Sequence, residues 1–167
     1  MNLKVGGVLR KLKIYLETTI LNFYYADDAP EKMADTVKLF NEIADRKYEG
    51  FTSMSVIREI SRASEEKQQL LFKLINDFNI HILDDNTEAE RLADIYVQEG
   101  IIPSKYTTDG VHIALATVHD MDIIVSWNFQ HIVKRKTIIM TSLVNNREGY
   151  KSIDIYSPSE VIENDED

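Results

Sequence analysis

The stretch Lys13–Leu21, KIYLETTIL, decides how this chain folds. Leu12–Leu16 is a short β-rich apolar run, which reads as a strand. It stops at Glu17, a charged residue where packing alone would ask for another apolar one. Outward from it, the same alternation recurs. Strand candidates are Leu12–Leu16, Gly50–Thr52, Ile80–Leu83, Ile123–Ser126 and Thr137–Thr141. Between them lie helix candidates: Glu31–Arg46 behind Pro30, Ser55–Arg62, Glu65–Phe78, Thr87–Glu99, Thr108–Asp120 and a short one after Trp127. In Glu31–Arg46 the set Met33, Val37, Phe40, Ile43, Ala44 keeps a 3.6-residue period and forms one core-facing stripe. Strands separated by helix-length segments need crossovers, so the expected class is α/β, a mainly parallel sheet with helices on both faces.

In such sheets the functional residues lie beyond the carboxyl ends of the strands. Four stretches stand there. Glu17-Thr18-Thr19 follows the first strand. FTSMSVIREI (51–60) runs from a strand into a helix that carries Glu59. TTDGVHIALA (107–116) opens a helix at Asp109, and DIIVSWNFQHI (122–132) ends a strand at Ser126-Trp127-Asn128. Three acids and one amide are thereby expected on one edge. Carboxylates a few ångströms apart repel, and a hard divalent cation reverses that cost. Oxygen-only ligands suit Mg²⁺ or Mn²⁺, which also bridge to phosphate oxygens, so the set points to phosphodiester chemistry.

Composition narrows the field. A chain of 167 residues, 44% hydrophobic, holds one domain with a core of its own. No Pro/Gly-rich linker or repeat divides it, so a single domain over 1–167 is expected, with its core at about 13–161 and an acidic tail at 163–167 (ENDED). The N-terminal stretch MNLKVGGVLRKLKIYL offers no small-residue cleavage site and reads as mature protein. No apolar run approaches the length of a membrane span. The absence of cysteine removes disulfides, thiolate zinc sites and a Cys nucleophile, and fits a cytoplasmic protein. A net charge of −9 argues against loose binding of nucleic acid, which depends on counterion release, but not against bridging to phosphate through a metal. The basic clusters Lys11/Lys13, Arg58/Arg62/Lys67 and Lys134/Arg135/Lys136 read first as solvated faces.

The four stretches, in order and spacing, resemble the motifs of PIN domains over roughly Lys13 to Val161. KIYLETTIL is similar to the opening strand, FTSMSVIREI to the second motif with its buried Glu, TTDGVHIALA to the third, and DIIVSWNFQHI to the fourth; SWNF resembles one branch of the family. The resemblance implies a PIN-like three-layer α/β/α fold. It also implies a Mg²⁺- or Mn²⁺-dependent endoribonuclease of the toxin-like, VapC-type kind, acting on RNA. On this resemblance Glu17, Glu59 and Asp109 are the metal-site acids, and Asn128 takes the fourth, more variable position. Thr18 or Thr19, and Ser126, fall where hydroxyls orient carboxylates or the attacking water. An antitoxin protein and a homodimer are the implied partners. The chain departs from the family in two places: Glu17 stands where Asp is usual, and Asn128 is neutral. The alternative implied by those departures is an inactive PIN-like domain that binds RNA or a partner protein.

Each residue also has a plainer reading. Glu59 between Ile57 and Ile60 is an ordinary helix-surface acid, Asp109 a first-turn acid favoured by the helix dipole, and Asn128 a turn or cap residue. His112, three residues after Asp109, reads as a packed histidine more readily than as a ligand. His131 could reach the mouth of the expected site or contact RNA, but that is its lesser reading. Trp127 is expected in the core rather than stacked on a base. The stretch Asp27-Asp28-Ala29-Pro30 reads as a turn leading into a helix. Other α/β readings fail locally: there is no Gly-rich dinucleotide turn, no P-loop, no second Asp two residues after Glu17 and no Ser-His-Asp spacing.

Overall fold

The run from Val8 to Leu16 forms the central strand, β2, and everything else is arranged about it. In this computed structural model residues 2–5 and 8–164 are described. Residues 165–167, the end of the acidic stretch expected as a tail, lie outside the described residues, as do Met1, Gly6 and Gly7. Strand β1 (Asn2–Val5) pairs antiparallel with the start of β2. The chain continues through α1 (Thr18–Phe23), α2 (Pro30–Ala44), β3 (Tyr48–Ser53), α3 (Met54–Ile60), α4 (Glu65–Asp77), β4 (His81–Leu83) and α5 (Thr87–Gln98). After a 3₁₀ turn at Ser104–Tyr106 come α6 (Thr107–Val118), β5 (Ile123–Val125), α7 (Arg135–Arg147), β6 (Asp154–Tyr156) and α8 (Pro158–Val161).

Five strands lie in the order β4-β3-β2-β5-β6, and every neighbouring pair is parallel. The fold is PIN-like: α/β, three-layered, with a mainly parallel central sheet. Alternation along β2 assigns the two faces. Leu12, Ile14 and Leu16 enter one core with Ile20, Leu39, Phe40, Val56 and Leu71, from α1 to α4. Tyr15 faces the opposite core with Leu92 and Tyr96 of α5, Ile113 of α6 and Val144 of α7. The chain moves from β2 outward to β3 and β4, then crosses to β5 and β6 on the other side. That reversal puts a topological switch point between β2 and β5, where Leu16 pairs with Val125.

Two expectations fail in the last third. Thr137–Thr141 is not a strand but part of α7. Its β-branched run suits a strand by propensity, yet Thr137, Thr141 and Val144 are buried together, a helical spacing. The fifth parallel strand is instead β6, a three-residue segment with only Ile155 turned inward. The short helix expected after Trp127 is a series of turns, and helix begins only at Arg135. The first third adds a helix not foreseen: α1 starts at Thr18, directly after Glu17. Among the described residues no helix is long and apolar enough to cross a membrane.

Candidate active site

The carboxyl ends of β2 and β5 are tied together by hydroxyls. Glu17 is the N-cap of α1, and its Oε2 accepts from the Thr19 amide at 3.2 Å, the Thr19 hydroxyl at 2.5 Å and the Ser126 hydroxyl at 2.7 Å. In return the Trp127 amide donates to Thr19 Oγ1 at 2.9 Å, and the Asn128 amide to Ser126 Oγ at 2.9 Å. Glu17 is only 3% exposed. Burial pushes its carboxyl above the ordinary value, while the charge of His112 and the two hydroxyls pull the other way without cancelling it. Thr18 is buried beside it, and its hydroxyl has no hydrogen-bond partner among the described residues.

At the end of β3, Ser53 caps α3 and begins a buried relay. Its hydroxyl lies 2.7 Å from the Tyr15 hydroxyl, which lies 2.7 Å from His112 Nδ1; His112 Nε2 is 2.6 Å from Glu59 Oε1. Helix α6 delivers His112 into this line at 1% exposure. Burial alone would push the imidazole down. The hydrogen bond to Glu59 and the charges of Glu17, Glu59 and Asp109 outweigh it and raise the pKa. For Glu59 burial pushes up, and His112 leads the groups that together more than offset it, so the carboxyl stays below its ordinary range. Burial also drives the Tyr15 phenol far up, so it stays neutral. With His112 protonated, Nε2–H donates to Glu59 and Nδ1–H to the Tyr15 oxygen, whose own proton goes to Ser53.

Asp109, in the first turn of α6, is held by the second histidine: its Oδ2 lies 2.8 Å from His131 Nδ1. The His131 ring stacks on Tyr106, centroids 4.1 Å apart. Asn128 Oδ1 accepts from the His131 amide at 2.9 Å, so the oxygen that could face a metal is engaged in the turn.

The seven residues singled out in the sequence therefore share one edge, but not one shell. Glu17, Thr19 and Ser126 touch directly. Glu59 and Asp109 are each turned to a histidine, and all three acids act on the charge of His112. Thr18 stands unbonded beside Glu17, and Asn128 serves the loop. Among the described residues no group of three or more Asp, Glu, His or Cys side chains is disposed to hold a metal ion. The donor chemistry is nevertheless oxygen-rich, and the orphaned Thr18 hydroxyl marks an unsatisfied position next to it. A cleft of about 200 Å³ opens beside Glu59, lined by Ser55, Arg58, Arg62 and Thr108. Arg58 is taken up by a two-pronged pair with Asp85.

Sequence reasoning missed Tyr15 and Ser53, which look like strand residues until the sheet brings them to α6. It found the Asp-x-x-His spacing of Asp109 and His112 but not its use: each histidine pairs with an acid from elsewhere in the chain. Trp127 is in the core, as its plainer reading has it, with its indole N–H donating to Thr36.

No protein-family model and no curated protein matches the sequence. Among solved structures the chain is similar to one in the crystal structure of VapBC2 from Rickettsia felis bound to a DNA fragment from their promoter. The TM-score is 0.55 at 14% identity, over 87% of this chain and 98% of that one, a likeness of fold.

Proposed function

We propose that this protein is a metal-dependent endoribonuclease that hydrolyses RNA phosphodiester bonds. The observation that carries the reading is that Glu17, Glu59 and Asp109, from three distant segments, lie at one edge of a parallel sheet near its switch point, Glu59 bonded to His112 and all three close enough to act on its charge. Three carboxylates so placed are an unfavourable arrangement for packing alone and a favourable one for a hard cation. Mg²⁺ or Mn²⁺ would be held by Glu17, Glu59 and Asp109, with Asn128 in the fourth position, and would supply charge neutralisation at phosphorus and an acidified water. The residues themselves do the rest. Ser126 and Thr19 fix the Glu17 carboxylate, the Ser53–Tyr15–His112 relay fixes Glu59, and His131 fixes Asp109. Those histidine contacts belong to the metal-free protein, and Glu59 and Asp109 must swing away from them to share a ligand.

The motif resemblance and the VapBC2-like fold both support a toxin role beside an antitoxin protein. The motif resemblance also implies a homodimer, for which exposed Leu70 and Phe72 on α4, and Tyr25 in the turn after α1, supply apolar surface. A monomer by light scattering over a wide concentration range removes the dimer. A second reading, a PIN-like domain that binds without cleaving, is favoured by one observation: the Asn128 oxygen and two of the acids are already engaged. Cleavage of a structured RNA with Mg²⁺ or Mn²⁺, against Glu59→Gln, separates the two.

A further inference from the structure

Two aromatic rings stand in solvent on the rim of the acid cluster. Phe129 directly follows Asn128 and is 49% exposed; Tyr106 lies three residues before Asp109 and is 39% exposed. Each has an ammonium near its face. Lys32 Nζ is 5.7 Å from the Phe129 centroid, and also 5.1 Å from Phe23 and 5.5 Å from Trp127. Lys105 Nζ is 5.8 Å from the Tyr106 centroid. Among the described residues neither lysine makes an ion pair, although acids outnumber bases 28 to 19 in this chain. Both rings are backed by other rings: Phe129 meets Trp127 edge-on at 6.1 Å, and Tyr106 lies on the His131 ring that holds Asp109. The result is a pair of supported aromatic surfaces, each with a positive charge outside any ion pair among the described residues, one next to Asn128 in the chain and one joined to Asp109 through His131.

We infer that Phe129 and Tyr106 are stacking platforms for unpaired nucleobases flanking the phosphodiester at the acid cluster, with Lys32 and Lys105 on adjoining phosphates. The identity of that phosphodiester rests on the ribonuclease reading; the binding does not. A base in a duplex has both faces covered by its neighbours, so platforms of this kind select single-stranded or looped RNA. In a protein of net charge −9 the phosphate contribution is weak, which leaves stacking a larger share of the affinity. Cation–π contact holds each lysine over its ring until a phosphate draws it away.

The test uses Glu59→Gln as a slow-cleaving parent in Mg²⁺ buffer. The probe is a fluorescein-labelled RNA of about 12 nucleotides, within the usual site size of single-strand binders, offered alone and as a duplex. Anisotropy gives affinity. The emission of Trp127, the single tryptophan, gives location. The single strand is expected to bind about tenfold tighter than the duplex and to change Trp127 emission. Phe129→Leu and Tyr106→Leu, both at exposed positions, are each expected to weaken single-strand binding about fivefold or more. Equal binding of duplex, unchanged binding by both leucine variants, or no binding of RNA overturns the platforms; the rings then read as contacts for a partner protein. Wild type on the same RNA keeps the two readings apart. Ring-dependent binding without cleavage in Mn²⁺ upholds the platforms and removes the hydrolysis, whereas cleavage with unchanged leucine variants removes the platforms alone.

Discussion

His112 Nε2 lies 2.6 Å from Glu59 Oε1, and the other nitrogen of the same ring lies 2.7 Å from the Tyr15 hydroxyl. A buried imidazole is thus clamped from both sides, with an acid at one end and a neutral phenol at the other. His112→Leu keeps the volume roughly constant, leaves the Tyr15 hydroxyl with Ser53 as its one partner in the relay and strips Glu59 of its counter-charge. The expected loss is about 3 kcal/mol in urea unfolding. A loss under about 1 kcal/mol would mean that water replaces the ring without strain.

Among the described residues Glu17 has no cation within hydrogen-bonding distance, and burial is the largest influence on its carboxyl. Glu17→Gln preserves the shape, and the amide oxygen still accepts from Thr19 and Ser126. The metal-free variant is expected to be more stable than wild type by about 1 kcal/mol, because a buried charge has gone. Mg²⁺ or Mn²⁺ is expected to raise the melting temperature of wild type by mass action and that of the variant much less. Melting curves of both proteins with and without metal decide it; equal responses to metal would remove Glu17 from the ligand set.

Away from the site, acid stability has a local source in Asp122. Burial pushes its carboxyl up, but the two-pronged Arg10 pair, the Lys13 amide and Lys151 prevail and bring it from 3.8 down to about 2. A depressed carboxyl contributes stability that is complete above its unfolded value and disappears as the pH falls toward the folded one. The window is therefore pH 4 down to pH 2. With Arg10 half in solvent, screening leaves about 1 kcal/mol. Asp122→Asn is expected to cost about that much at pH 7 and to flatten the stability profile below pH 4 in urea titrations.

The sheet and both of its helical layers were legible because β2, β3, β5, α2 and α5 keep clean apolar periods. Thr137–Thr141 misled because a five-residue run with four β-branched residues does not distinguish strand from helix; only Thr137, Thr141 and Val144 meeting the core settles it. At the site Glu17 was legible as a polar interruption at a strand end, and Glu59 and Asp109 as acids in helices expected to start on the same edge. The histidine pairs were not, since Glu59 and His112 lie 53 residues apart and no local spacing links them. Phe129 escaped notice because an apolar ring two residues from a core tryptophan reads as core itself; only the fold shows Trp127 buried and bonded to Thr36 while Phe129 stays in solvent.

The central claim is hydrolysis of RNA by metal-bound carboxylates, and one measurement addresses it most directly. Purified wild type and Glu59→Gln are incubated with a structured RNA in Mg²⁺, in Mn²⁺ and in excess EDTA, and initial cleavage rates are compared. Cleavage by wild type with either ion is expected, with none in EDTA and a fall of about a hundredfold or more in Glu59→Gln. Cleavage in EDTA at the full rate, or a Glu59→Gln protein that cuts as fast as wild type, would contradict the account.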